Sequence, residues 1–319
     1  MHMNSRHLVD PELVAFLDLI PSTSLTAESL ATNRARTAAM VASLSVPDYP
    51  NLRVCERHVP GPAGAPDVRI LLYQPTLTTQ STAGLLWLHG GGYVSGNVDL
   101  QDVTARAMAA ELGCVMVSVD YRLAPETPFP GPVEDCYAVL RWLHANAGEL
   151  GVDTGRLAVG GGSAGGGLAA ALALLARDRG EIPLVFQVLI APMLDDRTVT
   201  LDPPHPYTGE LIWTRESNRF GWTALLGQEP GSDGISPYAA AARAENVAHL
   251  PPAFIAVGAL DLFLEENMEY ARRLIHAGVP TELHVYPGAY HGFQMVPSAW
   301  VTQAVARDQI SAIRRALKL

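Results

Sequence analysis

Lysine is almost missing from this chain: Lys318 is the single example in 319 residues. All basic side chains together number 22 against 32 acidic ones, for a formal charge of −10. With no clustered Lys/Arg face, that balance argues against nucleic acid and against an anionic membrane surface as partners. Cysteine is also scarce. Cys55, Cys114 and Cys136 are an odd count without metal-like spacing, so free thiols in a reducing compartment are expected, with Cys114 and Cys136 as small core residues. No long apolar run exists; the longest, around Leu168 to Ala176, is far short of the roughly 18 residues that span a bilayer. The opening Met1-His2-Met3-Asn4-Ser5-Arg6-His7 leads into no secretory apolar region. Repeats and low-complexity segments are lacking too. These absences predict a soluble, cytoplasmic protein with no stable membrane insertion. What is present, 48% hydrophobic and 17% charged residues, suits a globular enzyme with a substantial core.

One stretch organises the rest: Ala158-Val159-Gly160-Gly161-Gly162-Ser163-Ala164-Gly165-Gly166-Gly167. A short apolar run stops at glycines, one serine follows, and an alanine- and leucine-rich helical run comes next. Gly161 to Gly165 fits G-x-S-x-G, the strand-turn-helix elbow of α/β-hydrolases. Such a turn strains the serine backbone and requires small residues two places to either side. It also sets the hydroxyl at a helix N-terminus, where developing negative charge is favoured. Two other readings fit the same residues. Gly160-x-Gly162-x-x-Gly165 satisfies the dinucleotide fingerprint, but that motif belongs to the first βα turn and needs an acidic residue about 20 positions on at a strand end. Here several strands precede it, and Asp178 lies in a helix tail. A purely structural glycine turn is the third reading.

Along the chain, residues 1–48 read as two amphipathic helices, the first entered at Pro11 and the second from about Ala27. Runs at Arg53–Val59 and Val68–Tyr73 predict an antiparallel hairpin at a sheet edge. Strands and helices then alternate. Strands are expected at Leu85–His89, Cys114–Asp120, Leu157–Gly160, Leu184–Ala191, Ala253–Gly258 and Glu282–Pro287. Helices are expected at Gln101–Leu112, Val133–Leu150, Ser163–Arg177, Leu262–Ala277 and Trp300–Leu317. Apolar strands without polar alternation imply a mostly parallel sheet of eight strands covered on both faces. Residues 196–244 break this rhythm with prolines and aromatics, as a lid or binding element does, or as an irregular structural excursion does. The division expected is a cap from residues 1–48 and 196–244 over a core built from residues 49–195 and 245–319.

A serine hydroxyl needs a base, and the base needs an acid to orient it. In α/β-hydrolases the chain order is Ser, then Asp or Glu, then His after the last strand. His291 is the histidine in a loop beyond the last strand, between small neighbours; His284 lies within that strand and His276 on a helix. Asp261 follows the strand Ala253–Gly258, where the fold puts its acid. Asp195, one strand earlier, is the rival, and Glu265 a weaker candidate a helical turn further on. A second glycine cluster, His89-Gly90-Gly91-Gly92, follows the third strand, as do the H-G-G-G loops that supply oxyanion-hole amides. Gly91, Gly92 and Ala164 are the expected donors.

Taken together, His89-Gly90-Gly91-Gly92, Tyr121-Arg122-Leu123-Ala124-Pro125-Glu126 with Phe129-Pro130 and Glu134-Asp135, the serine elbow, Asp261-Leu262-Phe263-Leu264-Glu265 and His291-Gly292-Phe293 resemble the hormone-sensitive-lipase-like carboxylesterases, bacterial family IV. The resemblance spans roughly residues 50 to 295. It implies an α/β-hydrolase fold with a helical cap, no cofactor or metal, and hydrolysis of short- to medium-chain acyl esters by Ser163, His291 and Asp261. It further suggests homodimers through the sheet edge. Cap aromatics such as Trp213 and Phe220 are candidates to wall the acyl or alcohol pocket, and Arg122 and Glu126 to support the oxyanion loop, with direct substrate contact as their alternative role. One departure stands out: the family elbow usually reads G-D-S-A-G or G-T-S-A-G, whereas Gly162 precedes the serine here. An amidase or lactonase with the same triad, or a binding protein on a hydrolase scaffold, are the other functions this pattern admits.

Overall fold

In the computed structural model, residues 5–20, 24–76 and 81–319 are described. The sequence readings on residues 1–4 and 21–23 lie outside them. The N-terminal segment forms α1 (Pro11–Leu17) and α2 (Ala27–Ser43). Asp10 caps the first through the Glu12 N–H, and Thr26 with Ser29 forms a reciprocal cap on the second.

The chain continues as β1 (Leu52–Val59), β2 (Val68–Pro75), β3 (Thr82–Leu88), α3 (Val98–Leu112), β4 (Val115–Asp120), α4 (Gly131–Ala145), α5 (Ala147–Leu150), β5 (Val152–Gly162), α6 (Ala164–Arg179), β6 (Phe186–Ile190), α7 (Arg215–Leu226), β7 (Ala253–Gly258), α8 (Leu264–His276), β8 (Thr281–Tyr286) and α9 (Trp300–Leu317). Two expectations shift. β5 begins five residues earlier than its apolar run, because Thr82 of β3 pairs with Val152. The long helix expected over 133–150 is interrupted at Asn146, whose amide bonds back to the Trp142 carbonyl, giving α4 and α5.

The eight strands form one sheet in the order β1-β2-β4-β3-β5-β6-β7-β8. β2 is antiparallel to both neighbours and every pair from β4 to β8 is parallel. β3, β6 and β7 are buried along their whole length, which explains their uninterrupted apolar character. α6 is apolar all round because it is buried all round, from Ala164 to Ala176, against β5, β6 and α4. The chain leaves β3 toward β4 on one side, then leaves β5 toward β6 on the other. The carboxyl ends of these adjacent strands therefore open onto a topological switch point, where ligands bind in open α/β sheets. Among the described residues, no helix is long and apolar enough to cross a membrane.

Described residues of the N-terminal segment hydrogen-bond to residues 210–217. The Ser5 N–H and hydroxyl both donate to Glu210, Ser24 pairs with Thr214 and Glu216, and the Leu25 N–H donates to the Ser217 hydroxyl. α2 is tied to the core by Arg34, which donates to the Val94 and Ala124 carbonyls and to both carboxylate oxygens of Glu126.

Candidate active site

β5 ends at Gly162 and α6 begins at Ala164, so Ser163 alone makes the turn. Its backbone sits at φ 57°, ψ −123°, a conformation L-residues rarely adopt and which costs on the order of 1–3 kcal/mol. The turn persists because its surroundings over-determine it. The Ser163 N–H donates to the Ile190 carbonyl, and its own carbonyl accepts from Gly167 and Met193. A Cβ on Gly165 would lie 2.1 Å from the Leu88 carbonyl oxygen, and one on Gly161 would lie 2.5 Å from the Gly165 backbone. Backbone-on-backbone contacts of that kind leave glycine as the residue for both sites.

Gly162 is different. A Cβ there would meet only the Ile190 carbonyl oxygen, at 3.8 Å, and the backbone is not left-handed. Gly162→Ala should therefore fold and gain about 0.5–1 kcal/mol from a less flexible unfolded chain. Thermal unfolding checks this, and ester turnover should stay within a few-fold. Gly162→Asp should be equally mild on turnover; loss of most activity in it would show that the pre-serine position shapes the chemistry directly.

The Ser163 hydroxyl points at His291. Oγ lies 2.9 Å from His291 Nε2, and His291 Nδ1 lies 2.8 Å from Asp261 Oδ2. The carboxylate accepts the Nδ1 proton, which leaves Nε2 free to accept the serine proton. Asp261 is 1% exposed and its other oxygen accepts the Phe263 N–H at 2.9 Å. His291 is 9% exposed, with the edge of its ring against Phe263 (centroids 5.1 Å, 89°) and Trp213 tilted beside it at 6.2 Å. The rivals lie elsewhere: Asp195 is held by Arg197 through two bonds of 2.8 Å, Glu265 is exposed, and His284 pairs with Glu282.

The second glycine cluster faces the same point. Gly91 has φ 128° and Gly92 φ 62°, both in the region where a side chain is strained. The Gly91 carbonyl accepts the N–H groups of Val94 and Ser95, and a Cβ on Gly91 would overlap the Ser95 carbonyl at 1.9 Å. A Cβ on Gly90 would touch Ser163 Cβ at 3.3 Å, so the loop runs beside the elbow. Among the described residues, no protein acceptor takes the N–H of Gly91, Gly92 or Ala164. N–H groups without a protein acceptor, in a loop that runs beside the elbow, can donate to a developing negative charge.

The loop is supported from behind. Tyr121 donates to the His89 carbonyl at 2.6 Å and stacks on the His89 ring at 4.1 Å, while the Ala124 N–H donates to the Tyr93 carbonyl. The two charged residues expected here divide the work. Glu126 acts through Arg34 on the Val94 carbonyl, whereas Arg122 forms a bidentate pair with buried Asp135 and so ties the segment to α4. Trp213 is brought to the site, its ring over Gly92. Phe220 is half-buried on α7 and packs against the core cluster that holds Tyr93 and Trp222. Phe263 and Tyr121 were not singled out from sequence as site residues; an aromatic two residues after the acid and one following β4 were the available signals.

Glu266, the third residue of α8, is a buried carboxyl packed against the loop that follows β6. It accepts the Leu194 N–H at 2.6 Å and the Thr198 hydroxyl, and burial pushes its pKa well above the ordinary carboxyl range. The folded protein therefore holds a proton that the unfolded chain gives up at lower pH. Stability from this group is complete below the unfolded value and declines as pH rises from there through the folded one. Glu266→Gln should remove that decline: the variant gains thermal stability relative to the parent at pH 8 compared with pH 5. A constant difference between the two pH values would sink the prediction.

The chain is similar to known proteins over most of its length. The family model described as alpha/beta hydrolase fold matches residues 85–295. The chain is 36% identical to "Esterase LipI" of Mycobacterium tuberculosis, covering 95% of this chain and 94% of that one. It is 37% identical to "Carboxylesterase NlhH" of the same species, over 97% and 96%. Among solved structures, "Bacterial Heroin Esterase" superposes with a TM-score of 0.89 at 41% identity, covering 98% of this chain and 99% of that one.

Proposed function

As a member of the α/β-hydrolase-fold family, in its hormone-sensitive-lipase-like branch, this chain is a carboxylic ester hydrolase, and we propose that it works through a Ser163–His291–Asp261 triad on short- to medium-chain acyl esters. The observation that carries the reading is the unbroken line of hydrogen bonds, 2.9 Å then 2.8 Å, from hydroxyl to imidazole to buried carboxylate.

Ser163 attacks the ester carbonyl as its proton passes to His291 Nε2. Asp261 holds the ring in the required tautomer and stabilises the imidazolium. The N–H groups of Gly91, Gly92 and Ala164 receive the oxyanion, each worth on the order of 3 kcal/mol in the transition state. His291 then protonates the departing alcohol, and a water activated by the same ring releases the acid. Residues 1–48 and 196–244 act as a cap over this centre, with Trp213 against the substrate. β8, at the end of the sheet, exposes Leu283 (36%) and Val285 (42%) and is the edge through which two copies pair in this reading; light scattering returning a single-chain mass would remove that part.

A series of p-nitrophenyl esters tests the substrate class. kcat/KM should peak between the acetyl and octanoyl esters and decline by the dodecanoyl ester, with a phosphonate forming its adduct on Ser163. Flat or absent turnover across the series, with no adduct, would overturn the proposal.

A further inference from the structure

Asn218 lies on α7, away from the triad, and is fully buried. A buried asparagine ordinarily satisfies both ends of its amide. Here Oδ1 accepts the indole N–H of Trp213 at 3.1 Å, while Nδ2 has no acceptor among the described residues. Its one side-chain hydrogen bond thus goes to Trp213, and an asparagine kept merely to tie α7 to its neighbours would be expected to use its second end as well.

Trp213 is aimed by a second device. The Trp213 N–H donates to the Leu211 carbonyl at 2.7 Å, closing a three-residue turn around Ile212 at φ 63°. Such γ-turns are rare, and a β-branched residue in the left-handed region is a genuine outlier of the kind that clusters at functional sites. The turn and the Asn218 bond fix the indole at both backbone and ring. The ring then lies over the oxyanion loop: a Cβ on Gly92 would be 2.2 Å from Trp213 Cη2.

The position of the indole relative to the reacting carbon decides what it reads. The tetrahedral centre on Ser163 has three further arms. The oxyanion points to the N–H groups of Gly91 and Gly92, the departing oxygen points to His291 Nε2, and the acyl carbon takes the remaining direction. Trp213 touches Gly92 and tilts against the His291 ring, so it flanks the edge between the first two arms. That is where the alcohol portion of the ester sits.

We propose that Trp213 is the residue that selects the alcohol portion of the substrate, favouring flat or bulky apolar alcohols over small ones, and that Asn218 is its positioning residue. The inference rests on the triad reading given above. A flat apolar face gains most from an aryl or alicyclic alcohol that can lie along it, and little from a methoxy or ethoxy group.

Two substrate series separate this from a general structural role: acetate esters of methanol, butanol, cyclohexanol and phenol, and ethyl esters of acids from acetic to octanoic. In Asn218→Ala, kcat/KM for the cyclohexyl and phenyl acetates should fall about 10-fold relative to methyl acetate, mainly through KM. The profile across the ethyl esters should keep its shape. Trp213→Phe, which removes the indole N–H at a half-buried position, should reproduce the shift, and adding Asn218→Ala to it should change little more, because the asparagine acts through that N–H. If Asn218→Ala fails to fold, Trp213→Phe alone decides. A changed acyl profile with an unchanged alcohol profile, or additive effects in the double variant, overturns the proposal. Failure of a phosphonate to label Ser163 in the parent protein would instead remove the triad reading beneath it.

Discussion

Ser163→Ala should lower kcat for ester hydrolysis by on the order of 10⁶-fold, as loss of the nucleophile does in other Ser-His-Asp enzymes, and leave only the residual rate that oxyanion donors and binding supply. The same variant should fold. The left-handed turn at this position is held by backbone bonds, from the Ser163 N–H to Ile190 and from Gly167 and Met193 to the Ser163 carbonyl, and alanine keeps all three. The hydroxyl itself bonds to His291 Nε2 alone, so its removal frees an imidazole nitrogen in a half-buried cleft and disturbs no packed core. Single-turnover kinetics beside an unchanged melting temperature checks this. A variant retaining even a hundredth of the parent rate would mean that the nucleophile lies elsewhere.

Much of this site could be read from the chain, for a definite reason. The elbow and the His89–Gly92 loop are local signals: each needs glycines at set spacings because the backbone itself approaches Leu88 or Ser95 too closely for a side chain. His291 and Asp261 were legible through their order after β7 and β8. What escaped sequence reasoning acts across long separations. Phe263 against His291, Tyr121 under His89 and Asn218 behind Trp213 leave no periodicity, because a contact between elements depends on how they are packed and not on their own spacing. The early start of β5 is hidden likewise: Asp153-Thr154-Gly155-Arg156 has turn composition and interrupts the register with β3, and Val152 beyond it pairs again with Thr82. Trp213 and Phe220 are alike as cap aromatics, and both pack against the same core cluster; the γ-turn at Ile212 accompanies the one whose ring also lies over Gly92.

The choice among the acids makes the second large prediction. Asp261→Asn should reduce kcat by about 10⁴-fold, a magnitude drawn from the same substitution in other triads, with little loss of fold. Both oxygens of Asp261 face donors, Oδ1 the Phe263 N–H and Oδ2 the Nδ1–H of His291. Asparagine has one acceptor to offer. If its oxygen stays with Phe263, its NH₂ faces Nδ1 and selects the tautomer with the proton on Nε2, where the ring can no longer accept from Ser163. If it turns over, its NH₂ confronts the Phe263 N–H in a site 1% exposed, leaving a buried donor unpaired. The first arrangement costs less and is the inactive one, so the volume is conserved while the base is lost. Asp195→Asn breaks only a pairing with the half-exposed Arg197, and Glu265→Gln alters an exposed side chain; both should stay within a few-fold of the parent. Equal losses in Asp195→Asn and Asp261→Asn would move the acid one strand earlier, to the loop after β6.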